Sequence, residues 1–176
     1  MSEIRRASEA DLPGIVAVIL ESWRRTYRGV LSDGYLAGPV EADLAALWSP
    51  ARLEGAVVLM AVDAGRVVGV AATLPDDPDG PYVDNLHVAE AHEGRGLGRG
   101  LMAATAAEMR ALGHDRLHLT VAVSNARANR FYKRLGGAFG PAFEDEMFGN
   151  PVMAYPVGWN DLSVLTGATA PAGAFK

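Results

Sequence analysis

Leu86-His87-Val88, followed after four residues by Glu93-Gly94-Arg95-Gly96-Leu97-Gly98-Arg99-Gly100-Leu101, reads as a strand that passes through a glycine-punctuated loop straight into a helix. Such a junction makes an anion site. The first N–H groups of a helix have no partner within it, and the helix dipole adds partial positive charge there. Glycines let the main chain come close to a bulky anion such as a diphosphate. The stretch therefore predicts a phosphate-bearing ligand. The plainer reading of the same residues is a turn that only joins strand to helix.

Spacing separates the phosphate loops that compete for this pattern. A nucleotide-hydrolase loop needs Gly-x-x-x-x-Gly-Lys-Ser/Thr, and no lysine follows any of these glycines. A dinucleotide fingerprint needs Gly-x-Gly-x-x-Gly, but counting from Gly94 puts Arg99 at the third glycine and counting from Gly96 puts Leu101 there. The remaining pattern resembles the acyl-CoA pyrophosphate loop of the GNAT superfamily of N-acetyltransferases, Gln/Arg-x-x-Gly-x-Gly/Ala. Gly96 and Gly98 match it, while Glu93 stands where Gln or Arg is usual. That departure bears on a side-chain contact at 93, not on the main-chain cradle. The resemblance implies acetyl-CoA as cosubstrate, held by Leu86, His87 and Val88 of the strand and by Glu93, Gly94, Arg95, Gly96, Leu97, Gly98 and Arg99.

A second motif lies downstream. Asn125-Ala126-Arg127-Ala128-Asn129-Arg130-Phe131-Tyr132-Lys133-Arg134-Leu135-Gly136-Gly137 is similar to the GNAT pattern Asn-x-x-Ala-x-x-Phe/Leu-Tyr-x-x-x-Gly-Phe. Asn125, Ala128, Phe131, Tyr132 and Gly136 match, and Gly137 replaces the final aromatic residue. Asn125 suits a helix cap through its side-chain oxygen. The resemblance adds a cofactor contact for Asn125 and Ala128, and it points the Tyr132 phenol at the thioester sulfur. Phe131 is read as core. A lone Gly-x-Gly is weak evidence, but the two motifs in this order on strand–loop–helix and strand–helix units are strong.

Composition sets the outer limits. The 176 residues fit one domain, placed at 1–160, with a loose tail over 161–176 that is richest in small residues from Thr166 onward. Apolar residues make up 49% and charged residues 21%, as in ordinary globular chains. A net charge of −5 argues against a general nucleic-acid binder. The absence of cysteine rules out disulfides, thiolate metal sites and a cysteine nucleophile. The first residues carry no signal-peptide core, and no apolar run approaches a membrane span. These readings predict a cytoplasmic protein with no nucleic-acid or membrane partner, and the resemblance implies a monomer or homodimer.

Periodicity gives the elements. A strand over 3–6 is followed by a helix capped at Ser8, with Ile15, Val18, Ile19, Trp23 and Tyr27 on one side. A second helix is predicted over about 41–53, with Leu44, Leu47 and Trp48 inward. Strands over 57–62 and 66–73 form a hairpin around Asp63-Ala64-Gly65. The strand at 82–88 precedes the glycine loop. A helix over about 96–112 places Leu97, Leu101, Ala104, Met109 and Leu112 near one stripe and stops at Gly113. A strand at 117–121, a helix at 126–135 and closing strands at 139–148 and 152–157 complete the order βααβββαβαββ. The class is α/β (α+β by some schemes). It is also the order of the GNAT fold: a mixed, mostly antiparallel sheet of about seven strands with about four helices. The resemblance further implies a splay, beside the strand before the loop, that admits the pantetheine arm.

Acyl transfer to an amine makes three demands. The attacking amine must be neutral, although a free alkylamine has a pKa near ~10.4. The developing oxyanion needs donors, for which the backbone N–H groups near Leu86 to Val88 are candidates. The leaving sulfur needs a proton or a hydrogen bond, for which Tyr132 is the candidate. For the base, alternation puts Asp84 with Leu86 and Val88 on one face of the strand and His87 with Asn85 on the other, and a bulge would change this. Asp84 and His87 are both candidates. Trp23, Tyr27 and Asp84 are candidates for the acceptor pocket, although Trp23 and Tyr27, four apart on one helical face, also suit a core. His114 and His118 lie across a turn and a strand in a pattern that does not suggest a metal, and none is expected. The expected activity is N-acetyl transfer from acetyl-CoA directly to a primary amine of a small molecule or protein. The alternative is an acyl-CoA-binding sensor or an inactive GNAT-like module.

Overall fold

The structure, a computed structural model, describes residues 2–147 and 150–167. Strands β1 (Glu3–Arg6), β2 (Val57–Asp63), β3 (Arg66–Leu74) and β4 (Tyr82–Val88) form an antiparallel meander. Then β5 (Leu117–Ala122) joins β4 in parallel, and β8 (Asn150–Trp159) joins β5 antiparallel. The short β6 (Ala138–Phe139) and β7 (Phe143–Met147) both pair with β8. Expected as one strand over 139–148, this segment is two, separated where Gly140 and Pro141 interrupt the ladder.

The sheet is covered on both faces, and β2 shows how one strand serves both. Val57, Leu59 and Ala61 pack into one cluster, while Val58 and Met60 pack into the other. The two-residue period of a strand allows nothing else. The second cluster lies under α1 (Leu12–Thr26), α2 (Asp33–Ala37), α3 (Pro39–Leu47) and α4 (Pro50–Gly55). Ile15, Ile19 and Trp23 of α1 recur at helical spacing along it. The first cluster lies under α5 (Leu97–Ala111), α6 (Ala126–Arg134) and α7 (Ser163–Thr166). Leu101 and Met102 of α5 are fully buried there. Emptying one such leucine site typically costs about 2–5 kcal/mol, so the start of α5 is firmly held.

Three expectations are corrected. The helix predicted over 41–53 is broken. Pro50 forces Ser49 into extended backbone (φ −109°, ψ 169°), so α3 ends and α4 begins anew. Leu44 and Trp48 are buried as expected, but Leu47 is 44% exposed. On α5, Leu112 is 53% exposed because the helix ends at Ala111 and Gly113 turns the chain at φ +90°. The tail predicted from 161 starts too early: Leu162 and Leu165 are buried in the first cluster, beneath α5 and α6. Residues 168–176 lie outside the described residues.

Candidate functional site

The β4–β5 junction makes the site possible. These parallel strands share a single register pair, Tyr82 with His118, backed by the His118 N–H donating to the Pro81 carbonyl at 3.0 Å. Beyond it the strands part. A hydroxyl bridge of 2.8 Å between Tyr82 and Thr120 lies near the closed end of the splay. The Ala89 N–H donates to Val68 on the β3 side. Alternate residues of a strand direct their N–H groups to opposite edges, so the amides of Val88 and Leu86 point into the splay, where no strand receives them.

A cleft of about 460 Å³ fills this opening. Leu86, His87 and Val88 form its β4 wall, and Glu93, Gly94, Gly96, Leu97, Gly98 and Arg99 form its loop end. Asn125, Ala128 and Tyr132 approach from α6. The two sequence motifs therefore meet across one cavity. Of the predicted cofactor residues, only Arg95 does not line it.

The loop end is built for an anion. Gly94 (φ +72°) and Gly96 (φ +82°) adopt left-handed backbone, which glycine alone adopts without strain, and a Cβ on either would meet nothing within 4 Å. Gly98 is different. Its backbone is ordinary, but a Cβ there would stand 3.3 Å from the Phe131 ring, so this glycine lets α5 and α6 approach. The first helical bond of α5 runs from the Gly100 N–H to the Gly96 carbonyl at 2.9 Å, which leaves the amides of Leu97, Gly98 and Arg99 without helical partners. On α1, Arg25 Nη1 is buried and has no hydrogen-bond partner among the described residues. Main-chain amides without helical partners, open space over the glycines and the adjacent Arg25 guanidinium fit a diphosphate.

On α6, the Asn125 side chain accepts the Ala128 N–H at 3.0 Å, so its oxygen caps the helix. Tyr132 is 8% exposed, and its ring packs edge-on against Phe131 and Trp159. Its hydroxyl has no hydrogen-bond partner among the described residues. Burial first, then the nearby phenols of Tyr27 and Tyr82, push its pKa well above the usual tyrosine range. The group keeps its proton.

The base candidates separate sharply. Between Ala72–Asn85 and Thr73–Val83, the β3–β4 register skips Asp84, which makes Asp84 the extra residue of a bulge. Val83 consequently joins the cluster of Leu86 and Val88. Asp84 turns toward α4, not with Leu86 and Val88 as alternation predicts. There it pairs with Arg52, which in turn lies 5.3 Å over the Trp48 ring, and it accepts the Asn85 side-chain N–H at 2.6 Å. Asp84 does not line the cleft. His87 does, and its Nδ1 shares a hydrogen bond of 2.9 Å with Ser22 Oγ of α1. His87 is partly buried. That burial, with the Arg25 charge as a second cause, lowers the pKa to about 4.

Trp23 and Tyr27 make an edge-to-face pair at 5.4 Å, but Trp23 is buried in the α1–α4 cluster and neither lines the cleft. The same helix contributes residues that sequence reasoning missed: Ser22, Arg25 and Thr26 line the cleft. Their i, i+3, i+4 spacing is the only trace of this in the sequence. Arg127, in the first turn of α6, was also missed.

A model of the acetyltransferase (GNAT) family matches residues 18–137, more than half of the chain. The chain belongs to the GNAT acetyltransferase family. It is therefore an acyltransferase with acetyl-CoA as cosubstrate. Solved structures agree on the fold of this GNAT protein. The PaiA N-acetyltransferase of Thermoplasma acidophilum, in complex with coenzyme A, is 19% identical, with a TM-score of 0.73 over 88% of this chain and 98% of its own. The YncA protein of Salmonella typhimurium, with its cofactor acetyl-CoA, is 22% identical, with a TM-score of 0.69 over 92% of this chain and 94% of its own. The ribosomal-protein-alanine N-acetyltransferase of Brucella melitensis is 25% identical, with a TM-score of 0.68 over 89% and 98%. No curated protein sequence matches the chain. Among the described residues no helix is long and apolar enough to cross a membrane, and no group of His, Asp and Glu is placed to hold a metal ion.

Proposed function

We propose that this chain acetylates a primary amine, with the cofactor lying in the β4–β5 splay and its diphosphate on the amides of Leu97, Gly98 and Arg99. The observation that carries the reading is that Tyr132, whose hydroxyl has no hydrogen-bond partner among the described residues, lines the same cleft as those amides. Acetyl-CoA supplies the activated acetyl group. The Leu86 and Val88 N–H groups stand ready as donors to a developing oxyanion. As the amine nitrogen bonds the acetyl carbon the carbon–sulfur bond breaks, and the proton the nitrogen loses ends on the departing sulfur, so CoA leaves as the thiol. Tyr132 keeps its own proton at Oη and offers it as a hydrogen bond to that sulfur. Burial of the ring excludes water from that contact.

The amine side rests on His87. With a pKa of about 4 it is neutral at pH 7. A base that weak does not store a proton taken from an ammonium group near ~10.4. His87 therefore acts as a hydrogen-bond acceptor that orients an amine already neutral, with Ser22 fixing its ring. Asp84 is held by Arg52 and takes no part in the chemistry. We place the acceptor entrance between α1 and the open edge of β4.

The test is thiol release from acetyl-CoA across a panel of amines: a polyamine, an aminoglycoside, a free amino acid and a peptide with an N-terminal alanine. The last is included because of the similarity to the Brucella enzyme. Acceptor-dependent release with at least one amine supports the reading. Tight cofactor binding without release across an extended panel would favour an acyl-CoA sensor.

A further inference from the structure

Glu93 is an acid in an anion cradle, and the structure shows what it does there. Its side chain is only 18% exposed. One carboxylate oxygen takes Arg25 Nη2 of α1 at 2.6 Å, and the other takes Arg127 Nη2 of α6. All three residues line the cleft beside Gly94 and Gly96. We propose that Glu93 is an internal counter-anion that holds Arg127 and Arg25 at the mouth of the cradle, and that the cofactor's phosphates take Arg127 from it. The proposal rests on the cofactor placement given above.

The two arginines are not equivalent. Arg25 also reaches Glu90 at 3.5 Å, and the Glu90 N–H is held by Glu21 of α1 at 2.9 Å. Arg25 is thus tied twice, through Nη2 to Glu93 and through Nη1 to Glu90. Arg127 has one acidic partner and a side chain 59% exposed, so it is free to turn. A guanidinium binds a phosphate oxygen as well as it binds a carboxylate. A diphosphate carries more charge than Glu93 and sits on three main-chain donors besides, so it wins the exchange.

This assigns Arg127 as a phosphate-binding residue and Glu93 as a brake on affinity. The ion pair holds Arg127 near its working position but must be broken for the cofactor to bind. Arg25 stays on Glu93, so α1, with Ser22 and the His87 it orients, remains joined to the loop when the cradle fills.

Calorimetric titration of the full chain with CoA, with pantetheine as a control that lacks the phosphates, tests the assignment. Glu93→Gln is expected to bind CoA about five- to tenfold more tightly at low salt, the gain shrinking as salt screens it. Arg127→Gln is expected to bind CoA about tenfold more weakly. Pantetheine affinity should move with neither variant. In the double variant the Glu93→Gln gain should shrink, because no arginine remains to be released. Unchanged or weaker CoA binding by Glu93→Gln overturns the proposal, as does a gain that persists in full in the double variant or an equal shift with pantetheine. If Glu93→Gln does not fold, the exposed Arg127→Gln decides alone, and unchanged CoA affinity there is fatal. A wild-type chain that binds no CoA sinks the cofactor placement itself, whereas normal wild-type binding with any of the failures above sinks only this exchange.

Discussion

The two helical layers meet the sheet by different means, and the contrast runs through the whole site. On the α5–α6 side the chemistry is mostly main chain: helix amides, glycine backbone and a capped turn at Asn125. On the α1–α4 side it is side chain: Ser22 on His87, Arg52 on Asp84, Arg25 on Glu93. β4 divides the two, with Val83, Leu86 and Val88 facing the first layer and Asp84, Asn85 and His87 the second. Main-chain sites depend on local geometry and recur wherever that geometry recurs. Side-chain sites depend on which residues happen to meet, and they can change one at a time.

The deepest break should come at Tyr132, which the proposed chemistry sets against the departing sulfur. Tyr132→Phe keeps the ring and its packing but removes the proton. Turnover is expected to fall by about 10²–10⁴-fold, with CoA affinity within about twofold of wild type. Rate and affinity measured on the same preparation check it, and equal turnover would remove Tyr132 from the chemistry. Next is Gly98, where α5 and α6 approach. Gly98→Val drives a branched side chain into the Phe131 ring, and overpacking of this kind costs about 1–3 kcal/mol. Urea unfolding should show that loss, and CoA affinity should fall with it because the helix N-terminus shifts.

The same contrast explains what could be read in the sequence. Gly96 and Gly113 act through local backbone conformation and Asn125 through a cap on its own helix, so their roles were legible without coordinates, whereas the Gly98 approach to Phe131 was not. The eight-strand order was nearly so, missing only the break at Gly140 and Pro141. Pro50 was a visible signal that the 41–53 helix must break, yet Leu44 and Trp48 at helical spacing masked it. The bulge at Asp84 was not legible, because the slip exists only in the pairing of β4 with Ala72 and Thr73 of β3. Nor was the meeting of Arg25 and Arg127 on Glu93. Those residues come from α1, α6 and the loop, and no local pattern joins positions 68 and 34 residues apart.

His87 offers a sharper probe of the acceptor layer. Its folded pKa, about 4, lies below the ordinary histidine value of 6.5. Between those values the unfolded chain binds the proton and the folded chain does not, so stability falls as pH drops through that window and is flat above it. The expected loss from pH 7.5 to pH 5 is up to about 2 kcal/mol from this residue. Urea unfolding at both pH values, compared between wild type and His87→Gln, isolates it. An equal pH dependence in the two proteins would mean that the ring is not desolvated in the folded state.

Asp84→Asn should have the smallest effect on rate and discriminates most between the two layers. As an ionised base in direct reach of the amine, Asp84 would be worth about 10²–10⁴-fold in turnover. The bulge instead turns it onto Arg52, away from the cleft. Asparagine keeps the shape and one acceptor oxygen but removes the charge, leaving a partly buried guanidinium over Trp48 without its counter-ion. The expected outcome is a stability loss of about 1 kcal/mol, the upper end for a partly exposed pair, with kcat changed by less than about threefold. A collapse of kcat with unchanged stability and CoA affinity would return Asp84 to the reaction. It would also mean that β4 reorders its bulge when the acceptor arrives, because the observed register gives the carboxylate no line to the cleft.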